Sequence, residues 1–366
     1  LMAAVEAAVE MAAVVVAADA GSRLLHACAA GDSALVQSLL AGGAPASYQD
    51  SAGVSALMLA SASASTAIIS TLLEAGAPWN ALDRQGRCAG EYAVESQSQE
   101  CCDVLVAAGV RAQLLFGLLE DATTTDDRTT ARYLASDVQM SADGKTLADA
   151  DGDAVMMEWE RPLMEAHADV LCGRFDHSWI AALDVSPDEG TFAVLNVGHG
   201  MGIIDNFIQD RLAANAKATH TIIEPHDGVL ASMRLQGWLA KPGVAVSAAT
   251  WQAAFLDPAF GPFDAIFFDT YAESYADMQT FFDLLPRALK PTGVFSFFNG
   301  MCPFNTFFHG VACEFVKVQL ERLGLQVDFV PIAVDAMGDS TWKDSKRRYW
   351  LFDTYHLPLA RWKAAA

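Results

Sequence analysis

The feature that most restricts the fold is the run from Phe192 to Ile203. Phe192-Ala-Val-Leu-Asn-Val197 is an apolar segment of strand length that passes directly into Gly198-His199-Gly200-Met201-Gly202, and from Ile203 the spacing becomes helical. A nearly continuous apolar strand implies burial on both faces, as in a parallel sheet flanked by helices. Glycines between such a strand and a helix let the backbone come close to a ligand at the C-terminal edge of the sheet. Four further segments follow in order. Thr221-Ile-Ile-Glu224 is a short strand ending in an acid, about 20 residues past the loop, where a carboxylate can accept both hydroxyls of a ribose. Val244-Ala-Val246 is a third strand, followed by Ala249-Thr250-Trp251. Phe263-Asp-Ala-Ile-Phe-Phe-Asp269 is a fourth, and Leu289-Lys-Pro-Thr-Gly293 leads into a fifth, Val294-Phe-Ser-Phe-Phe298. Strands alternating with helical stretches predict an α/β sheet from about residue 151 onward. Ile203 stands where a dinucleotide loop wants a small residue, which argues for a different nucleotide-like ligand.

The first third of the chain repeats itself. Residues 21–112 match themselves at a shift of 33: Gly43-Ala44 recurs as Gly76-Ala77 and Gly76 as Gly109. Leu39-Leu40 recurs as Leu72-Leu73 and then Leu105-Val106, Asp50 as Asp83, and Gly53 as Gly86. The period resembles that of ankyrin repeats. Each unit then consists of a helix, a turn, a second helix ending in the Leu-Leu pair, and a glycine cap. The T-P-L-H segment of that family is represented only by Ser55-Ala56-Leu57-Met58 and Leu24-Leu25-His26. Such repeats carry no chemistry, so the block either binds a protein partner or serves as a scaffold beside the α/β domain. Residues 117–150, with the polar stretches Asp121–Asp127 and Ser141–Lys145, read as a linker or an irregular, partly ordered connector. The resulting organisation is an Ala-rich helical leader at 1–20, repeats at 21–116, the linker at 117–150 and the α/β domain at 151–366.

Bulk properties narrow the partners. Lys and Arg number 23 against 45 Asp and Glu, a net charge of −22. Such a surface repels phosphate, so neither nucleic acid nor an anionic membrane is an expected partner, and a basic protein is. The seven cysteines form no C-x-x-C pair and do not cluster with histidines. No disulfide framework or metal site is indicated, and free thiols fit a reducing compartment. The leader has no Lys or Arg before Arg23, and Glu6, Glu10 and Asp19 interrupt its apolar run. It reads as a helix rather than a signal or a membrane span. A cytoplasmic and nuclear location is expected.

Several segments carry a family resemblance. Met156-Met-Glu158-Trp159-Glu160-Arg-Pro162-Leu-Met164 resembles the M-E-x-W-E-x-P-x-M segment of guanidinoacetate methyltransferases, and Phe268-Asp269-Thr270-Tyr271 resembles their D-T-Y motif. With the N-terminal repeats, the chain is similar to a narrower group, the fungal and plant protein arginine N5-methyltransferases. The G-x-G-M-G-I-I-D, F-F-N-G and Y-W…Y-x-L-P segments of that group are matched by Gly198–Asp205, Phe297–Gly300 and Tyr349-Trp350 through Tyr355–Pro358. His199 replaces an expected aromatic residue, and the glycines still allow the close approach. The resemblance implies a Rossmann-like, seven-stranded S-adenosylmethionine methyltransferase domain behind an all-α ankyrin domain. It also implies methyl transfer to the guanidino group of arginine in a protein, at the delta nitrogen.

The residues fit that chemistry. A guanidinium is planar, charged and poorly nucleophilic, and two carboxylates can fix its plane and polarise it. Glu160 and Asp269 are the candidate catalytic acids. Alone, Glu160 reads as a solvated helix acid and Asp269 as a helix cap; the motif around Glu160 and the strand-end position of Asp269 favour the catalytic role. Candidate cofactor residues are Met156, Gly198, Gly200, Met201, Gly202, Glu224, Thr250, Trp251 and Asp269. Trp251 either contacts adenine or belongs to the core. Met156 and Met164 either line a sulfonium pocket or pack, and Phe304–Phe308 is core or pocket wall. Two alternatives stand beside the protein arginine reading: a small-molecule guanidino methyltransferase, and an ankyrin adaptor carrying an inactive methyltransferase fold.

Overall fold

The computed structural model describes residues 2–120, 130–181, 190–335 and 337–363. The chain divides into two compact units, one within 1–123 plus Asn305–Phe315, the other within 124–304 plus 316–366. Among the described residues no helix is long and apolar enough to cross a membrane.

The first unit is three helix pairs: Met2–Ala29 with Ser33–Ala41, Ala56–Ala62 with Thr66–Glu74, and Ala89–Glu95 with Gln99–Glu120. The repeated residues do repeated work. Asp50 Oδ1 accepts the N–H groups of Ala52 (2.8 Å) and Val54 (2.9 Å), and one repeat later Asp83 Oδ1 accepts those of Gln85 (2.8 Å) and Arg87 (2.9 Å). Gly43 (φ +87°) and Gly76 (φ +82°) follow the ends of their helices in the left-handed region that closes a helix terminus. The third unit departs from this plan. The helix from Gln99 runs through Gly109 to Glu120 without a glycine cap, and a side chain at Gly109 would press on Val311 and Trp79. Gly90 occupies the position held by the fully buried Leu24 and Leu57 in the earlier repeats, and the Phe307 ring covers it. The segment 305–315 thus supplies apolar surface that the third repeat lacks. At the other end, the leader is not a separate element, because one helix runs from Met2 to Ala29.

The second unit begins with structure where a linker was expected. After a short helix, Thr130–Leu134, strands β1 (Gln139–Met140), β2 (Thr146–Ala148) and β3 (Ala154–Met157) form a small antiparallel sheet. The polar stretches around Gly144 (φ +71°) and Gly152 (φ +82°) are its hairpin turns. Strands of two to four residues are too short to show an alternating pattern in sequence. The stretch Asp121–Asp127 lies outside the described residues.

The main sheet contains β4 (Ala193–Val197), β5 (Thr219–Ile223), β6 (Val244–Ser247), β7 (Phe263–Phe268), β8 (Leu289–Phe297), β9 (Leu325–Ala333) and β10 (Thr354–Trp362). Their order is β6-β5-β4-β7-β8-β10-β9, with β10 antiparallel to both neighbours and β4 to β8 parallel. Side chains alternate between two apolar layers: Val194, Ala265 and Phe267 face one, and Leu195, Val197, Ile266 and Phe268 the other. Both faces are covered, as the uninterrupted apolar strands required. The chain steps outward from β4 to β5 and β6, then returns to place β7 on the other side of β4. Strand order therefore reverses at β4, and the ends of β4 and β7 open a crevice at that switch point.

Removing the Phe307 ring leaves a void over Gly90. Phe307→Ala is expected to cost about 3–5 kcal/mol and to speed hydrogen exchange in helix Ala89–Glu95. Adding Gly90→Leu should recover part of that loss, whereas Gly90→Leu alone should destabilise. Unchanged exchange in Phe307→Ala would show that the segment adds nothing to the repeat core.

Candidate active site

Gly198 leaves β4 at φ +97°, and a side chain there would collide with the carbonyl oxygen of Asp269. The backbones are tied on both sides: Gly198 N–H donates to Ile223 O and Asp269 N–H to Val197 O, each at 2.9 Å. Only glycine permits this approach, and it sets the glycine loop against the start of the loop after β7. At the end of β5, the buried Glu224 is held by backbone: Oε2 accepts His199 N–H (2.9 Å) and Oε1 accepts His226 N–H (2.8 Å).

A second buried network stands behind the loop. His199 Nδ1 lies 2.7 Å from Asp205 Oδ2, and His220 Nε2 lies 3.1 Å from Asp205 Oδ1. Asn196 Nδ2 donates both to Asp205 Oδ1 (2.7 Å) and to Gly198 O (2.8 Å). Burial works against a charge on Asp205, but the two imidazoles hold its carboxyl well below the usual carboxylate range. His199 is therefore more than a loop spacer: its imidazole anchors the loop and lies over Gly202.

A cavity of about 470 Å³ opens over the crevice, within the range of small-molecule sites. Glu160, Asp269 and Glu224 all line it, with Gly198, Gly200 and Met156. Pro162 starts helix Arg161–Leu171 and stops the chain from continuing β3, so residues 158–160 form a single 3₁₀ turn that carries Glu160. The Glu160 Oε1 atom accepts Met157 N–H (2.9 Å) and the hydroxyl of Tyr349. The fit to an adenosyl ligand follows from these donors. Glu224 is a buried strand-end carboxylate with both oxygens oriented by backbone N–H groups, suited to a vicinal diol. Thr250 and Trp251 line the same cavity from beyond β6.

Comparison with known proteins places this geometry. Residues 24–114 match the ankyrin repeat model in three copies, and residues 116–323 match the guanidinoacetate N-methyltransferase model. The chain belongs to the guanidinoacetate N-methyltransferase family. Curated relatives carry the name protein arginine N-methyltransferase 2, and three of them illustrate the match. The Yarrowia lipolytica protein is 37% identical over 233 residues, 62% of this chain and 46% of that protein. The Aspergillus oryzae protein is 36% identical over 255 residues, 67% of this chain and 56% of the relative. The Cryptococcus neoformans protein is 34% identical over 260 residues, 66% of this chain and 69% of the relative. The chain spans about half the length of the Yarrowia and Aspergillus relatives.

Within this family framework, most of the expected site residues meet in one place. Met156, Gly198, Gly200, Glu224, Thr250, Trp251, Glu160 and Asp269 share the cavity, whereas Met201 and Gly202 do not line it. The Met201 side chain packs between two apolar clusters while its N–H points to Met156 Sδ (3.3 Å). Gly202 begins the following helix at φ +70° beneath the His199 ring. Met164 is fully buried in the core and does not line the cavity. Trp251 belongs to the core and also lines the cavity: its indole N–H donates to Glu273 (2.8 Å) while its ring packs edge-on against Phe281. Phe304 is cavity wall, and Phe307 is core of the repeat unit.

Sequence reasoning missed Tyr133 and Glu273, which also line the cavity, and named Tyr271 only within the D-T-Y motif. Tyr133 lay in the stretch read as linker, and its ring packs on His226 (4.6 Å) and Tyr271 (4.9 Å). Tyr349 was visible only as part of the Y-W motif.

The two candidate acids are both unusually weak. Burial, and then the charge of Asp269, pushes the Glu160 carboxyl up to about 8. Asp269 keeps part of its surface open to the cavity, yet burial pushes its carboxyl up to about 7. The folded chain therefore holds protons that the unfolded chain gives up near the ordinary carboxylate range. That stabilisation is complete below the ordinary carboxylate range, about 4, and is lost progressively as pH rises from there to about 7 to 8. Thermal melts of the ligand-free protein should fall over this interval. Glu160→Gln and Asp269→Asn should each flatten the fall and melt higher than the wild type above it. Parallel curves for all three proteins would refute the shared burial of charge.

Proposed function

We propose that this chain transfers a methyl group from S-adenosylmethionine to the guanidino group of arginine in a protein substrate. The observation that carries the reading is the pair of proton-holding carboxyls, Glu160 and Asp269, on one cavity with the glycine loop and Glu224. S-adenosylmethionine supplies a methyl group on a sulfonium, open to in-line attack. Glu224 would hold the ribose hydroxyls, and Gly198 and Gly200 would admit the ligand close to the backbone. Glu160 and Asp269, once ionised, would accept N–H groups of the guanidinium and fix its plane toward the methyl carbon. As the nitrogen–carbon bond forms and the sulfur–carbon bond breaks, one N–H proton must leave. A carboxylate whose pKa lies near neutrality is well matched to take it.

The name shared by the relatives supports arginine in a protein as the acceptor, and the net charge of −22 favours a basic one. The delta nitrogen is the acceptor that the sequence resemblance favours. The repeats would then offer a surface for a protein partner. A second reading has its own support: Arg347 and Arg348 line the same cavity and could take the carboxylate of a small guanidino acid. The intact glycines and acids weigh against an inactive adaptor.

The test offers labelled S-adenosylmethionine with an arginine-rich peptide and guanidinoacetate in competition, and locates the methyl by fragment mass spectrometry. Label is expected on the peptide, at the delta nitrogen. Glu160→Gln and Asp269→Asn should each lower transfer by about 100-fold or more while still binding S-adenosylhomocysteine. Unchanged turnover in both variants would sink the assigned roles, and label on guanidinoacetate alone would favour the second reading.

A further inference from the structure

Glu160 is not held by its own rotamer alone. Its Oε1 atom takes two donors, the Met157 N–H at 2.9 Å and the Tyr349 hydroxyl. The direction of the second bond is fixed by a third residue. Trp159 Nε1–H donates to the Tyr349 oxygen at 3.0 Å, so the hydroxyl proton is directed to Glu160. Tyr349 is itself locked in an aromatic cage, its ring 5.7 Å from that of Trp159 and 5.1 Å from that of Trp342. With Oε1 occupied on two sides, Oε2 is the oxygen left for an incoming N–H group.

We propose that Tyr349 is a positioning residue for the methyl transfer inferred above: its hydroxyl occupies one oxygen of Glu160 and leaves the other turned to the guanidinium. This inference rests on that reading of the site. The same bond has an electrostatic consequence. Burial and Asp269 both disfavour the Glu160 carboxylate, while the Tyr349 and Met157 donors favour it. Of the groups around Glu160, Asp269 comes from the end of β7 and Tyr349 from the segment before β10. Arg347, Arg348, Tyr133, Tyr271, Glu224 and Glu273 line the shared cavity. Among the groups that favour the charged form, Tyr349 is a side chain that can lose its donor while keeping its shape.

Tyr349→Phe retains the ring and its cage, so the variant is expected to fold. Two measurements decide the matter. Carbon-13 NMR of the Glu160 carboxyl, assigned by its loss in Glu160→Gln, should show the titration moved up by about one pH unit. The acid limb of the pH profile for transfer to an arginine-rich peptide should move by the same amount, with the rate approaching the wild type in alkali. An unmoved titration, or a rate lowered equally at every pH, overturns the proposal. A moved titration with no transfer by the wild-type chain at any pH overturns the proposed reaction instead, and leaves the hold on Glu160 standing.

Discussion

Two buried carboxyls that share a cavity repel each other when both are ionised, and burial penalises each charge separately. Glu160 and Asp269 stand in that relation. Such a pair persists only if the surrounding structure fixes both groups more firmly than their repulsion displaces them. Asp269 is fixed by the main chain, through its N–H bond to Val197 O and the close approach of Gly198. Glu160 is fixed by Met157 N–H and Tyr349, from a 3₁₀ turn clamped between β3 and the helix that Pro162 begins. The two carboxyls are thus placed by backbone bonds and one aromatic cage.

The topology explains why Asp269 meets the glycine loop and Glu224 although they follow different strands. Reversal of strand order at β4 puts the ends of β4 and β7 side by side, while β5 brings Glu224 to the other flank of β4. Each strand ends in a residue that faces the crevice, so three chemical functions are aligned by sheet register alone. The buried Asp205 then joins elements of this edge. It binds Asn196 on β4, His199 in the glycine loop and His220 on β5. Movement of the loop relative to β5 would break ion-assisted bonds in a low-dielectric interior, where they are costly to lose.

The sequence was most readable where one residue type serves one physical need. Gly198 must be glycine because of its φ and the carbonyl behind it, and Asp269 follows a strand whose burial makes it uniformly apolar. The repeat period was readable because Asp50 and Asp83 build the same turn twice. Illegible features depend on partners remote in sequence. Tyr349 reaches Glu160 across 189 positions, and no local pattern records that contact. Strands β1 to β3 are too short for periodicity, so their turn residues read as linker. In the third repeat the helix runs on past Gly109, and Phe307 from outside the repeat covers Gly90 where the earlier repeats carry a leucine. Met201 and Gly202 belong to the motif by spacing, yet the loop turns them away from the cavity.

The acid pair and the overall charge point in the same direction. A surface of net charge −22 raises the local concentration of cations before any contact is made. Inside the cavity, protons on Glu160 and Asp269 relieve the repulsion between them near neutral pH. A cation settling between the two oxygens replaces those protons, because its charge favours both carboxylates and lowers both pKa values. Binding of a cation is therefore coupled to proton release, and the desolvation penalty of the acids is offset by the ion pair formed. A neutral guest of the same shape gains no such offset and must compete with a site already satisfied by its own protons.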